Sequence, residues 1–102
     1  MGAPEAKIEG YLRKRVKETG GTIKKLKWIG RRGAADNLVF YKFPAVALVE
    51  VKREGATVDP RSQQARDLRR MREAGWPVYV VSSREEVDEV LARLAIKMLT
   101  LR

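Results

Sequence analysis

The stretch VALVEVKRE at positions 46–54 places Glu50 and Lys52 inside a run whose other members, Val46, Leu48, Val49 and Val51, are those of a buried strand. Alternate strand residues share a face, so the acid and the base point the same way, roughly 7 Å apart along the chain. Such a pair is either a structural ion pair at a sheet edge or part of a site. A second carboxylate nearby would favour a site, and Asp36 is the candidate. It stands where the loop GRRGAA (30–35) turns into the strand that precedes the Glu50 strand.

The 102 residues correspond to one domain, large enough to bury a core. Neither cysteine nor histidine is present. That excludes disulfides, thiolate zinc sites, imidazole acid–base chemistry and both Ser-His-Asp and Cys-His catalysis. Any enzyme chemistry must use carboxylates, lysine, hydroxyls or an oxygen-ligated metal. There are 22 Lys and Arg against 13 Asp and Glu, a net charge of +9 that suits a polyanion. The excess is polarised. Residues 11–32 hold nine bases and one acid, residues 61–72 hold five arginines and one acid, and Glu85, Glu86, Asp88 and Glu89 make the start of the last helix acidic. The opening MGAPEAKIEG lacks the apolar core of a signal peptide and no apolar run reaches membrane-spanning length, so a cytoplasmic protein with no membrane partner is expected.

The elements that must position these groups follow from periodicity. Residues 4–19 read as a helix with acids early, bases late, Ile8, Leu12 and Val16 on one side, and Gly20-Gly21 as its stop. Residues 22–29, 36–43 and 45–52 read as strands, the last two joined at Pro44. Asp59 with Pro60 predicts the start of a second helix that ends at Gly75. PVYVVS (77–82) reads as a strand buried on both faces. Ser83 and Glu86 form a capping box for a third helix, whose core side carries Val87, Val90, Leu91, Leu94 and Met98. The order is α-β-β-β-α-β-α, an α/β mixed four-stranded sheet flanked by helices, with a crossover helix leading to a parallel strand.

This arrangement gathers the chemistry at one end of the sheet. A three-residue hairpin loop centred on Pro44 pairs Asp36 with Lys52 and sets Asp36, Glu50 and Lys52 on one face; a two-residue loop would flip Asp36 away. Glu5 and Glu9 extend the buried stripe of the first helix, and Gln64 begins a Gln64–Leu68–Met71 stripe on the second. Each residue also has an ordinary reading: Asp36 as a turn cap, Glu5 and Glu9 as helix-dipole partners, Gln64 as a solvated first-turn residue. Trp28, Trp76, Tyr41 and Tyr79 read as core or strand residues, because they do not cluster into a base-stacking platform.

The succession of G-x-x-D (Gly33 to Asp36), V-E-V-K (49–52), and a helix-initial Gln64 with Gly75 eleven residues later resembles the VRR-NUC domain, a virus-type replication-repair branch of the PD-(D/E)XK nucleases. The N-terminal E-x-x-I-E helix and GWPVYVVSS (75–83) extend the resemblance from Glu5 to about Leu94. Ala35-Asp36 departs from the Pro-Asp usual in the family. The resemblance implies an Mg²⁺- or Mn²⁺-dependent DNA endonuclease in a bacterial cell or phage-infected host, acting on branched DNA such as four-way junctions. Asp36, Glu50 and the Val51 carbonyl would hold the metal, and Glu9 or Glu5 would complete its shell. Lys52 would orient or deprotonate water, and Gln64 would position water or a phosphate oxygen. Arg31, Arg32, Lys25, Lys27, Arg53, Arg61 and Arg66 are the expected DNA contacts. A non-catalytic nucleic-acid-binding module on the same fold is the alternative, and a basic ribonucleoprotein scaffold a third. Ala92, Ile96, Leu99 and Leu101 exceed what a one-sided helix needs and point to a homodimer.

Overall fold

The computed structural model describes the backbone of residues 5–27, 35–42 and 45–100, and the side chains of these residues up to Ile96. The elements are α1 (Glu5–Glu18), β1 (Thr22–Lys25), β2 (Asn37–Tyr41), β3 (Ala45–Val51), α2 (Gln63–Glu73), β4 (Val78–Val81) and α3 (Arg84–Thr100). This is the α-β-β-β-α-β-α order expected from periodicity. Among the described residues, no helix is long and apolar enough to cross a membrane.

The sheet order is β1-β2-β3-β4: β1, β2 and β3 form an antiparallel meander, and β4 joins β3 in parallel after the α2 crossover. Strand alternation divides its two faces. Val39, Tyr41, Ala45, Ala47, Val49 and Val51 pack against Ile8, Leu12 and Val16 of α1 and Val87, Val90, Leu91 and Leu94 of α3. Leu48 and Val78 lie on the opposite face, under Leu68 of α2. Two helices therefore cover one face and one helix the other. The core residues named for α1 and α3 are buried as expected; the Met98 side chain lies outside the described residues.

The hairpin register differs from expectation by two residues. Tyr41 pairs with Ala45 and Asn37 with Val49, so partner numbers sum to 86, not 88, and Leu38 faces Leu48 instead of Glu50. The connection spans 42–44 and is centred on position 43. Moving the centre by one residue moves the register by two, which preserves the faces. Continued one step, the ladder sets Asp36 opposite Glu50 in place of Lys52.

The α1 stop depends on two glycines. Gly20 takes φ +83°, a left-handed value at which glycine has no Cβ penalty, and the Gly21 N–H donates to the Val16 carbonyl at 2.8 Å. A Cβ on Gly21 would lie 2.6 Å from the Tyr41 ring, so this residue lets β2 approach α1. Helix α2 starts three residues later than the Asp59–Pro60 reading. Asp59 closes a turn, its Oδ1 accepting from the Arg61 N–H, and Ser62 is the N-cap, its Oγ accepting from the Ala65 N–H at 3.1 Å. The α3 box also shifts. Ser83 Oγ accepts from the Glu86 N–H, but Glu86 returns to the Ser82 N–H and hydroxyl.

Two aromatic and strand expectations change. Trp76 is 57 % exposed, not core, because it sits in the α2–β4 turn, where no periodicity turns it inward. In β4, Val78 and Val81 are buried but Tyr79 and Val80 only partly, because β4 is the outermost strand. Trp28 lies outside the described residues.

Candidate active site

Glu50 stands at the C-terminal end of β3, and Lys52 follows one residue past the strand, both on the α2 face. The Glu50 side chain is largely buried, and its Oε2 lies 3.6 Å from Lys52 Nζ. The ladder to β4 continues to this point, the Lys52 N–H donating to the Val81 carbonyl at 2.8 Å, which fixes the backbone that carries both groups. Gln64, in the first turn of α2, brings its amide near enough to the Glu50 carboxylate to favour its charged form. Burial raises the Glu50 pKa; the Lys52 charge and the Gln64 amide oppose that shift, and the charges of Asp36 and Glu5 add to it. Glu50 thus lies within electrostatic reach of four of the residues named from sequence: Asp36, Lys52, Gln64 and Glu5. Val51 is buried beside it at the end of β3.

A second cluster adjoins the first through Asp36. Lys25 Nζ, at the end of β1, lies 2.6 Å from Glu9 Oε2 and 3.1 Å from Asp36 Oδ2. Asn37 Nδ2 donates to the same Glu9 oxygen at 3.3 Å and to Asp36 Oδ1 at 3.1 Å. Arg13, one turn along α1, adds a longer contact of 3.7 Å to Glu9. Burial acts to raise the Glu9 pKa, but the hydrogen bonds from Lys25 and Asn37 and the nearby positive charges outweigh it and leave it lowered. Asn37 is fully buried, and its Oδ1 has no hydrogen-bond partner among the described residues.

Sequence reasoning missed Asn37, which reads as an ordinary residue after Asp36; its polar type at the head of the strand, immediately before the apolar run 38–41, was the available signal. It also assigned Lys25 to phosphate, whereas the structure sets Lys25 between two carboxylates. Asp67, only 4 % exposed on α2, was another unexpected buried polar residue. Lys27, Arg53, Arg61 and Arg66 are exposed, while Arg31 and Arg32 lie outside the described residues. On the far side, Asp88 of α3 accepts from the Tyr11 hydroxyl at 2.9 Å and pairs with Arg15 at 3.4 Å. The acidic start of α3 thus helps to join it to α1. Ala92 and Ile96 of α3 are exposed; the Leu99 side chain and Leu101 lie outside the described residues.

Mg²⁺ and Mn²⁺ prefer oxygen ligands, and Asp36, Glu50, Glu9 and the Val51 carbonyl supply only oxygen. The donor chemistry therefore fits such an ion. Among the described residues, no three acidic side chains converge closely enough to hold one as they stand. Lys25 separates Glu9 from Asp36, and Lys52 lies against Glu50.

No sequence-family profile matches the chain, and no curated protein matches it. A solved structure described as a VRR_NUC domain superposes with a TM-score of 0.77 at 35% sequence identity, covering 88% of this chain and 96% of that one. The match spans most of this chain and nearly all of the other. The chain belongs to the VRR-NUC family and has its nuclease-type fold.

Proposed function

We propose that this protein is an Mg²⁺- or Mn²⁺-dependent endonuclease that hydrolyses DNA phosphodiester bonds, with branched DNA as its preferred substrate. One observation carries the reading: Asp36, Glu50, Lys52 and Gln64 form an electrostatically coupled group at one end of the sheet of a VRR-NUC fold. Asp36, Glu50 and the Val51 carbonyl would hold the ion, joined by Glu9 or Glu5. When bound, the ion supplies charge stabilisation at the phosphate and acidifies the attacking water. Lys52 orients or deprotonates that water and offsets charge developing on the phosphoryl oxygens. Gln64, whose amide favours the charged form of Glu50, positions water or a phosphate oxygen beside it. Exposed Lys27, Arg53, Arg61 and Arg66, with Arg31 and Arg32, contact the DNA backbone.

The test is incubation with four-way, flapped and linear DNA, with and without Mn²⁺. Cleavage should require Mg²⁺ or Mn²⁺, while Ca²⁺ should support binding without turnover, because its looser coordination misplaces the water. Activity that persists after exhaustive chelation would remove the mechanism. The second reading, a binding module without catalysis, draws support from the pairing of these carboxylates with lysines inside the protein. Binding to all three DNAs with no cleavage in Mn²⁺ would favour it.

The proposed acting unit is a homodimer in the cytoplasm, since one site cuts one strand. The exposed Ala92 and Ile96 of α3 supply the start of an apolar surface for it. Light scattering should give a dimer mass; a monomer mass unchanged by junction DNA would leave single-strand nicking as the model.

A further inference from the structure

We infer that Lys25 is the resident cation of the site: a tethered ammonium that holds Glu9 and Asp36 together and that a divalent ion must displace to bind. This rests on the metal-dependent reading above. Three features of the structure carry it. Lys25 Nζ is within 2.6 Å of one carboxylate and 3.1 Å of the other, the position between them that a bound ion would contest. Lys25 pairs directly across the ladder with Asn37, so both side chains leave the sheet toward α1 and meet Glu9 there. Asn37 donates to the same two carboxylates from a fully buried position, whereas the Lys25 side chain is 45 % exposed.

Those exposures separate the two roles. Asn37 is fixed by packing and keeps the carboxylates aligned whichever cation is present. Lys25 has a flexible four-carbon stem and an open route to water, so it can withdraw when an ion with twice its charge arrives. Without Lys25, two neighbouring carboxylates would repel each other in the metal-free protein. With it, the site stays assembled, but metal binding starts from an occupied position. Lys25 therefore sets the concentration at which the site loads.

The experiment is calorimetric titration of Mn²⁺ into the full, metal-free protein, supported by Mn²⁺ paramagnetic resonance and by thermal melts. Lys25→Met should bind Mn²⁺ about three- to tenfold more tightly than wild type. It should also melt lower without metal and recover more on adding it. Lys25→Arg should bind Mn²⁺ no better than wild type, because its planar fork holds two carboxylates more firmly. Adding Asp36→Ala to Lys25→Met should cancel the gain. A lower melting point in Lys25→Met with unchanged Mn²⁺ affinity would make Lys25 a structural ion pair and overturn the inference. Unchanged affinity with a weaker salt dependence of DNA binding would make it a phosphate contact and overturn the inference as well. If wild type binds Mn²⁺ and cuts DNA in either case, only this inference fails. If neither protein binds Mn²⁺, the metal-dependent reading falls with it.

Discussion

Glu9 and Glu50 are partly buried carboxylates in adjoining clusters at one end of a sheet, and their surroundings move them in opposite directions. Burial acts to raise both. At Glu9, donors from Lys25 and Asn37 outweigh burial and keep the carboxyl below its ordinary range. At Glu50 the nearest ammonium is 3.6 Å away, and Asp36 and Glu5 add like charge, so the carboxyl stays above that range. Desolvation alone therefore does not decide the state of a carboxylate; the supply of donors does. Glu9 is satisfied within the protein. Glu50 is only partly so, and a carboxylate in that state, with another beside it, gains most from an added cation.

The largest expected effect falls on the Glu50 side of this contrast. Asp36→Ala, Glu50→Ala and Lys52→Ala should each lower cleavage by roughly a thousandfold or more, with most DNA binding retained. Lys52→Arg should fail as well, because guanidinium stays charged and lacks the compact geometry of the ammonium. Wild-type cutting by all three alanine variants would end the nuclease reading. The Glu9 side should be gentler. Glu9→Gln should cost about ten- to a hundredfold, as loss of a supporting contact to a metal shell does. The exposed Glu5→Gln should stay within a few-fold. If those two are reversed in single-turnover rates, Glu5 completes the shell and Glu9 is only a structural partner of Lys25.

The two clusters were unequally legible in the sequence. The element order could be read because Ile8, Leu12 and Val16, and Val87, Val90 and Leu94, repeat at helical spacing, and because the strands alternate. The Glu50–Lys52 pair was visible for the same reason: two charges inside an apolar run cannot both belong to the core. The hairpin register was misjudged by an even number of residues, which keeps Leu38 on the face of Glu50, while Asp36 stands one step beyond that ladder, its carboxylate on Lys25 and Asn37. The Glu9–Lys25–Asn37 cluster was not legible. It depends on how α1 docks across the β1–β2 ladder, and no local pattern encodes a contact between residues 9, 25 and 37. Caps were ambiguous for a related reason. Asp59 and Ser62, and likewise Ser82 and Ser83, are rival oxygens within a few residues, and packing of the helix decides which serves.

Stability against pH should divide the same two carboxylates at a smaller scale. A raised folded pKa means that the Glu50 contribution is fully present below the ordinary glutamate value of 4.5 and is lost as pH rises through the folded pKa above it. A lowered one means that the Glu9 contribution is present above 4.5 and is lost as pH falls through the folded pKa below it. At neutral pH without metal, Glu50→Gln should therefore stabilise the protein by about 1 kcal/mol after solvent screening at the open strand end. Glu9→Gln should destabilise it by about 1 kcal/mol. Each corresponds to several degrees of melting temperature in a domain of this size. Denaturant melts from pH 4 to pH 8 (about one unit per step) would show it, and a shared sign for the two variants would mean that their surroundings do not differ as described.

The smallest effect separates cations that serve the protein from cations that serve the DNA. Lys25 is already neutralised by Glu9 and Asp36, so it releases few counterions from a phosphate backbone. Arg53, Arg61 and Arg66 are exposed on the loop and helix that follow Glu50. For B-DNA the logarithm of affinity falls against the logarithm of salt with a slope of about 0.9 per phosphate neutralised. Arg66→Ala should therefore shallow that slope by about 1 and weaken binding uniformly across sequences. In metal-free protein, Lys25→Ala should leave the slope nearly unchanged, shallowing it by far less than one, because the repulsion between the two bared carboxylates and phosphate is screened as salt rises. Fluorescence anisotropy across a salt series on a linear duplex measures both. A slope that falls by one unit for Lys25→Ala and not for Arg66→Ala would reverse the assignment: the strand lysine would read the backbone, and the arginines of α2 would be ordinary solvated surface.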